Sequence, residues 1–170
     1  MDYKLIRSDR RTLALEITRE GQVLVRAPHQ ATQDQIDEFV TARREWLSSR
    51  LQRVRDHLAA HPTPDAAQTQ ALRAKALEVL PERVRYYGSR MGLQPVSLTI
   101  TGAKTRFGSC SSRGRISFSW LLMQYPREAI DYVVVHELAH LVHQNHGPAF
   151  YRLVASVLPD YRQREALLRY

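Results

Sequence analysis

Pro126-Arg127-Glu128-Ala129-Ile130-Asp131-Tyr132-Val133-Val134-Val135-His136-Glu137-Leu138-Ala139-His140-Leu141-Val142-His143 is the stretch from which the rest of the chain is read. Pro126 can open a helix, and Glu128 and Asp131 stand where the helix dipole favours acids. From about 127 to 143, apolar residues fall on nearly every face: Ile130, Val133, Val134, Val135, Leu138, Leu141 and Val142. A helix of that kind is buried, so the fold is expected to be built around it. Yet His136, Glu137 and His140 lie inside it. Residues four apart on a helix differ by about 40° in direction and about 6 Å in height. Two imidazoles so placed converge on one metal ion about 2.0–2.1 Å from each nitrogen. Glu137 then points beside the ion, where it can take a proton from a water. Burying these three side chains without partners is costly, and a metal supplies them. The competing reading is two core histidines joined by hydrogen bonds, with Glu137 paired to an arginine.

A catalytic zinc needs a third protein ligand. His143 shares the face of His136 and His140 but lies about 10 Å along the axis from His136. His146 is ten residues after His136, so the chain must turn back to deliver it. Asn145 and Gly147 can adopt left-handed backbone for such a turn, and Pro148 can start the next helix. His146 is therefore preferred, leaving His143 on the substrate side or exposed. The spacing matches H-E-x-x-H-x-x-G-x-x-H, but His143 stands at the glycine position and no Met follows the site. A metzincin is thereby disfavoured.

Outward from this stretch, the remaining pattern is mixed. Residues 3–8, 12–18 and 22–27 read as short strands, with Glu20-Gly21 as a turn, and are expected to form an antiparallel ribbon or meander. Thr32 and Gln35 form a capping box for a long helix through Leu58, with Trp46 as a core anchor. Residues 59–67 hold two prolines and read as a connector. A second helix is expected over about 68–91, bent or divided at Pro81 and capped by Gly92. Residues 96–101 read as a strand, 105–119 as a loop and a second strand, and 148–157 and 160–169 as short helices around Pro159. The expected organisation is one domain over 1–170, with a strand-rich part and long helix over 1–58 and the catalytic part over 68–170.

The chain carries 25 Lys and Arg against 17 Asp and Glu, a net charge of +8. Residues 63–125 hold nine of the basic and three of the acidic groups, so the excess sits in the middle. Such an excess attracts phosphates or nucleic acid, although an arginine-rich composition alone also produces it. A lone cysteine, Cys110, excludes an internal disulfide and a four-cysteine zinc knuckle. The start lacks the apolar run of a secretory signal, and no apolar stretch approaches bilayer length. A cytoplasmic protein without a membrane partner is expected.

Thr105-Arg106-Phe107-Gly108-Ser109-Cys110-Ser111-Ser112, the run from Asp131 through His136-Glu137-Leu138-Ala139-His140-Leu141, and Asn145-His146-Gly147-Pro148-Ala149-Phe150 together resemble the YgjP-like metallopeptidases, relatives of the SprT-like zincins. The family's segment usually reads TRWGSCS, so Phe107 is a departure that bears on packing. The resemblance is specific over about 104–161 and weaker toward the N-terminus. It implies an α+β, zincin-like (gluzincin-type) fold with N-terminal strands and a small sheet packed on the buried HExxH helix. It also implies one Zn2+ held by His136, His140 and His146, with Glu137 as general base. For some SprT-like relatives it implies proteolysis near DNA.

Arg106 is a candidate contact for an oxyanion, carboxylate or phosphate, and Tyr151 and Tyr161 are candidate oxyanion donors. Asp160 or Glu165 could brace a ligand histidine through its second nitrogen. The expected activity is a zinc metallopeptidase acting on a peptide or protein. The alternatives are a nucleotide phosphohydrolase, with Lys104, Arg106, Arg113 and Arg115 near the phosphates, and a nucleic-acid-associated protein with the same zinc site.

Overall fold

The computed structural model describes residues 2–18 and 20–168, in two compact units that meet in sequence between Thr63 and Pro64. The chain is α+β, with two small mixed sheets and six helices among the described residues.

In the first unit, β1 (Lys4–Ser8), β2 (Ala14–Ile17) and β3 (Val23–Pro28) form a sheet of order β1-β3-β2. β2 and β3 are an antiparallel hairpin turned at Gly21, whose φ of 81° is left-handed. β1 pairs with β3 in parallel, Leu5 opposite Val25, so the expected antiparallel meander is corrected. The reason lies in composition. β3 buries Val23, Leu24, Val25 and Ala27, and a strand buried on both faces takes the centre.

The expected long helix is two helices, α1 (Gln33–Thr41) and α2 (Arg44–Ala60). Thr32 and Gln35 do form the capping box. The break falls at Arg43, whose backbone leaves the helical region at φ −113° and ψ 15°. No glycine or proline marks it. Ile36, Val40, Leu47 and Val54 share one direction within about 40° at about 100° per residue and are buried, whereas Trp46 points about 80° or more away from them and is 51% exposed. Trp46 is not a core anchor.

The second unit opens with α3 (Ala66–Met91), capped by an Asp65–Gln68 box and closed by Gly92 at φ 67°. α3 runs undivided through Pro81. The carbonyl that proline leaves without a donor belongs to Leu77, a residue 64% exposed and open to water. β4 (Ser97–Thr101), β5 (Gly108–Cys110) and β6 (Arg115–Ser119) form a second mixed sheet of order β4-β6-β5, with β4 parallel and β5 antiparallel to β6. β5 falls where a loop was expected, since three residues are too few to show a period. A 3₁₀ turn (Trp120–Gln124) leads to α4 (Arg127–Ala139), followed by α5 (Pro148–Val157) and α6 (Tyr161–Ala166). Residue 169 of the last expected helix lies outside the described residues.

α4 is buried as its composition requires: Ile130, Val133, Val134, Val135 and Leu138 are at most 6% exposed. They pack with Leu80, Val84, Ile116, Phe118, Leu122, Phe150 and Val154 in one core. Asp131 does more than complement the helix dipole. Its carboxylate accepts from Arg83 Nε at 2.7 Å, Arg83 Nη2 at 3.0 Å and the Tyr87 hydroxyl at 3.0 Å, all buried. Arg164 of α6 lies 3.8 Å away. This cluster fixes α3 and α6 against α4, and leaving either charge alone there would be costly. No helix among the described residues is long and apolar enough to cross a membrane.

Candidate metal centre

α4 ends earlier than its apolar run suggests, and that ending shapes the centre. His140 is its C-cap. Leu141 and Val142 donate back three residues, to Leu138 at 3.0 Å and Ala139 at 3.1 Å, tightening the last turn. The Gln144 amide donates to the His140 carbonyl at 2.6 Å. The chain then reverses without left-handed backbone: Gly147 has φ −77°, and positive φ occurs among the described residues only at Gly21, Gly92 and Gly114. Pro148 opens α5 as its sequence suggests.

The reversal brings His146 over the helix. The Nε2 atoms of His136 and His140 are 3.2 Å apart, those of His140 and His146 3.2 Å, and those of His146 and His136 3.1 Å. Ligand atoms on a tetrahedral zinc at its usual bond length sit about 3.3 Å apart, so the triangle fits such an ion. Three imidazole lone pairs at this spacing repel one another unless a cation or protons lie between them. Among the described residues these three are the group of His, Cys, Asp or Glu side chains placed to hold a metal.

Each ring is held by its surroundings. His140 Nδ1 lies 2.9 Å from the His143 carbonyl, an arrangement that puts the proton on Nδ1 and leaves Nε2 free to ligate. His143 thus serves the centre through its backbone, and its ring is not part of the triangle. Phe150, wholly buried, lies beneath all three rings, with centroid distances of 4.9 Å to His136, 4.6 Å to His140 and 4.9 Å to His146. Tyr132 packs on His136 at 5.6 Å. His136 Nδ1 is buried and has no hydrogen-bond partner among the described residues. Burial, and then the neighbouring histidines, push His136 down to about 4. Burial also lowers His140, against the pull of the His143 carbonyl. Both are therefore neutral near pH 7, the form that binds metal.

Glu137 is 6% exposed, and burial pushes its carboxyl up to about 7, opposed by the charge of Arg106. Its carboxyl lies close against β5: a Cβ placed on Gly108 would be 2.6 Å from Oε1 and 2.7 Å from Cγ. The Thr105–Cys110 segment therefore brings a glycine to the carboxyl and Arg106 into its electrostatic reach. Cys110 follows on the same strand. Burial and the Glu137 charge raise its thiol, so it stays protonated, unlike a metal ligand.

Tyr151 stands beside the centre, its ring 6.3 Å from that of His146 and stacked on Tyr161 at 5.8 Å. Asp160 does not brace a histidine; it accepts from Arg164 Nε at 2.8 Å. Phe107 packs edge-on against Tyr125 at 4.8 Å, partly buried against the core. Sequence reasoning gave no role to Gly108 or Phe150. For Gly108 the available signal was a glycine inside a short stretch next to strand-forming residues. For Phe150 it was an aromatic one turn after the third histidine.

An α+β chain whose buried helix presents two histidines and a glutamate, with a third histidine folded back over them, has the composition of a metal-dependent hydrolase. The chain belongs to the YgjP-like family, whose metallopeptidase domain it matches over residues 11–71 and 60–170. The UTP pyrophosphatase of Escherichia coli (strain K12) is 32% identical over 63 residues, which are 37% of this chain and 38% of that protein. The chain thus aligns with well under half the length of that relative. The metallopeptidase zymogen of Pyrococcus abyssi abylysin, known from a crystal structure, superposes on 53% of this chain and 91% of its own with a TM-score of 0.49 and 23% identity.

Proposed function

We propose that the protein is a zinc-dependent metallopeptidase with a zincin-like centre, in which His136, His140 and His146 hold the ion and Glu137 is the general base. The observation that carries this reading is the convergence of three Nε2 atoms at 3.1–3.2 Å beside a buried carboxylate. An all-imidazole set of three is the donor set of catalytic zinc, with a fourth position left for water or substrate. Zinc held there supplies Lewis acidity, which acidifies a water and polarises an electrophile.

The rest of the reaction falls to side chains of the protein. Glu137 takes the proton of the attacking water and returns it to the leaving amine. A carboxyl that titrates near neutrality is suited to both tasks. Gly108 keeps it in place. Arg106 favours its charged form and is available to a substrate carboxylate or to a developing oxyanion. Tyr151, beside His146, is a further donor to that oxyanion, and the exposed turn of His143 borders the substrate.

A second reading is favoured by one observation, the aligned 63 residues of the UTP pyrophosphatase. In it the electrophile is a nucleoside triphosphate, and the exposed Lys104, Arg106, Arg113 and Arg115 meet its phosphates. Purified wild type and Glu137→Gln, assayed in parallel for zinc content, peptide-library cleavage and nucleoside triphosphate hydrolysis, decide between them. The expected result is about one zinc per chain in both proteins and peptide cleavage in wild type alone. Triphosphate turnover without peptide cleavage would transfer the same residues to the second reading. Failure to take up zinc would overturn both.

A further inference from the structure

The first unit carries a surface that the metal centre does not use. Arg10, Arg11 and Arg43 line an open cleft of about 1090 Å³ with Phe39 and the acids Asp9 and Glu38. Asp9 lies 3.7 Å from His29, another lining residue. Arg7 builds the wall, donating to the carbonyls of Pro28, His29 and Ala31. Arg10 Nε is buried yet has no hydrogen-bond partner among the described residues. A buried donor in that state costs free energy until an acceptor reaches it, and an anion in the cleft would supply one. The Arg43 guanidinium lies 3.9 Å over the Phe39 ring and donates to the Phe39 carbonyl at 3.2 Å. It is a flat cation held in place.

One turn beyond Arg43, Trp46 is 51% exposed. Trp46, Arg50, Arg53 and His57 recur at four, seven and eleven residues and make one flank of α2. That flank carries no acid. The two acids of α2, Glu45 and Asp56, lie about 80–100° round the helix from Trp46 by the same geometry, and Asp56 accepts from Gln52 at 2.8 Å. An indole left in water along an acid-free, arginine-bearing flank is an arrangement a core does not need.

We propose that this flank and the adjoining cleft bind single-stranded nucleic acid, with a base stacked on Trp46 and phosphates at Arg10, Arg11 and Arg53. Arginine alone would serve any polyanion. The exposed indole selects among them, because an unpaired base offers a face to stack on, while a duplex or an acidic peptide does not. Trp46 to Arg53 covers about 10 Å of helix, a length over which a strand passes more than one phosphate.

The test is fluorescence anisotropy of the whole protein with labelled oligothymidylate and oligouridylate of about 15 nucleotides, with a duplex of equal length alongside. The expected result is binding of a single strand that weakens steeply between about 50 and 200 mM salt. Trp46→Ala should lose about tenfold in affinity and Trp46→Phe should keep most of it. Arg10→Ala with Arg11→Ala, and Arg53→Ala separately, should weaken binding and flatten the salt dependence. Binding of either strand supports the proposal, and the tighter one names the sugar. No binding by wild type, equal binding of the duplex, or equal competition by polyglutamate would overturn it. So would full affinity in Trp46→Ala with an unchanged circular dichroism spectrum.

Discussion

Gly108 and the carboxyl of Glu137 occupy adjoining space so closely that a single methyl group on Gly108 would overlap three atoms of the glutamate, at 2.6, 2.7 and 2.9 Å. The backbone of β5 is thus the wall against which the buried Glu137 carboxyl rests. Gly108→Ala should leave the three histidines and zinc uptake intact while moving the carboxyl aside. A displacement of about 1 Å in a reacting group costs about a hundredfold in rate. The expected outcome is a loss of kcat of that order at unchanged zinc content. A variant with wild-type kcat would show that the carboxyl does not need this wall.

The two candidate third ligands separate cleanly. His146 contributes a ring nitrogen to the triangle, whereas His143 contributes its backbone carbonyl to His140 Nδ1. His146→Ala should therefore lose stoichiometric zinc, and His143→Ala should keep it, because the carbonyl remains. Zinc analysis of both variants after dialysis against buffer without metal makes the comparison. Equal loss in both would assign the ring of His143 to the ion.

Much of this centre is legible in the sequence because its logic is local. The helical spacing of His136 and His140 fixes their common direction, and Asn145 to Pro148 marks the reversal that returns His146. What could not be read is what depends on contacts distant in sequence. Gly108 lies 29 residues before Glu137, and nothing in Phe107-Gly108-Ser109 says which side chain will lie on it. The parallel pairing of β1 with β3 is a competition for the sheet centre, settled by which strand is more apolar on both faces. The break at Arg43 has no glycine or proline to announce it, and Trp46 points about 80° or more away from the direction shared by Ile36, Val40, Leu47 and Val54, so its apolar type alone does not make it a core residue. Asp131 was readable as a helix-start acid, but its partner Arg83 lies 48 residues away.

Glu137 and His136 oppose each other in the pH dependence of the metal-free protein. Burial raises Glu137 from 4.5 to about 7, so its stabilising contribution is fully present below pH 4.5 and is lost as pH rises toward 7. Burial lowers His136 from 6.5 to about 4, so its contribution is present above pH 6.5 and is lost as pH falls toward 4. Between these limits folding moves one proton from histidine to glutamate and the two slopes cancel. Glu137→Gln removes one side of that balance. Its unfolding free energy should rise with pH more steeply than that of wild type by about one proton, about 1.4 kcal/mol per pH unit. Urea denaturation of both chelated proteins at two pH values inside the window measures the difference, and parallel slopes would refute the raised carboxyl.

Phe150 supports the rings of His136, His140 and His146 from below, and its removal should reach both stability and metal. The side chain is wholly buried, so Phe150→Ala opens a cavity and should cost the metal-free protein about 3–5 kcal/mol. Phe150→Leu keeps most of the volume and should cost about 1.5 kcal/mol or less. If the ring only filled space, zinc affinity would follow neither change. Because it touches all three imidazoles at 4.6–4.9 Å between centroids, its loss frees each of them to tilt, and ligands that must be re-ordered bind more weakly. Zinc affinity in Phe150→Ala should fall about tenfold or more, the range seen when groups that orient metal ligands are removed, with Phe150→Leu between it and wild type. Competition against a chelating dye reads the affinities, and an unchanged zinc affinity in a folded Phe150→Ala would reduce Phe150 to a core residue that happens to adjoin the centre.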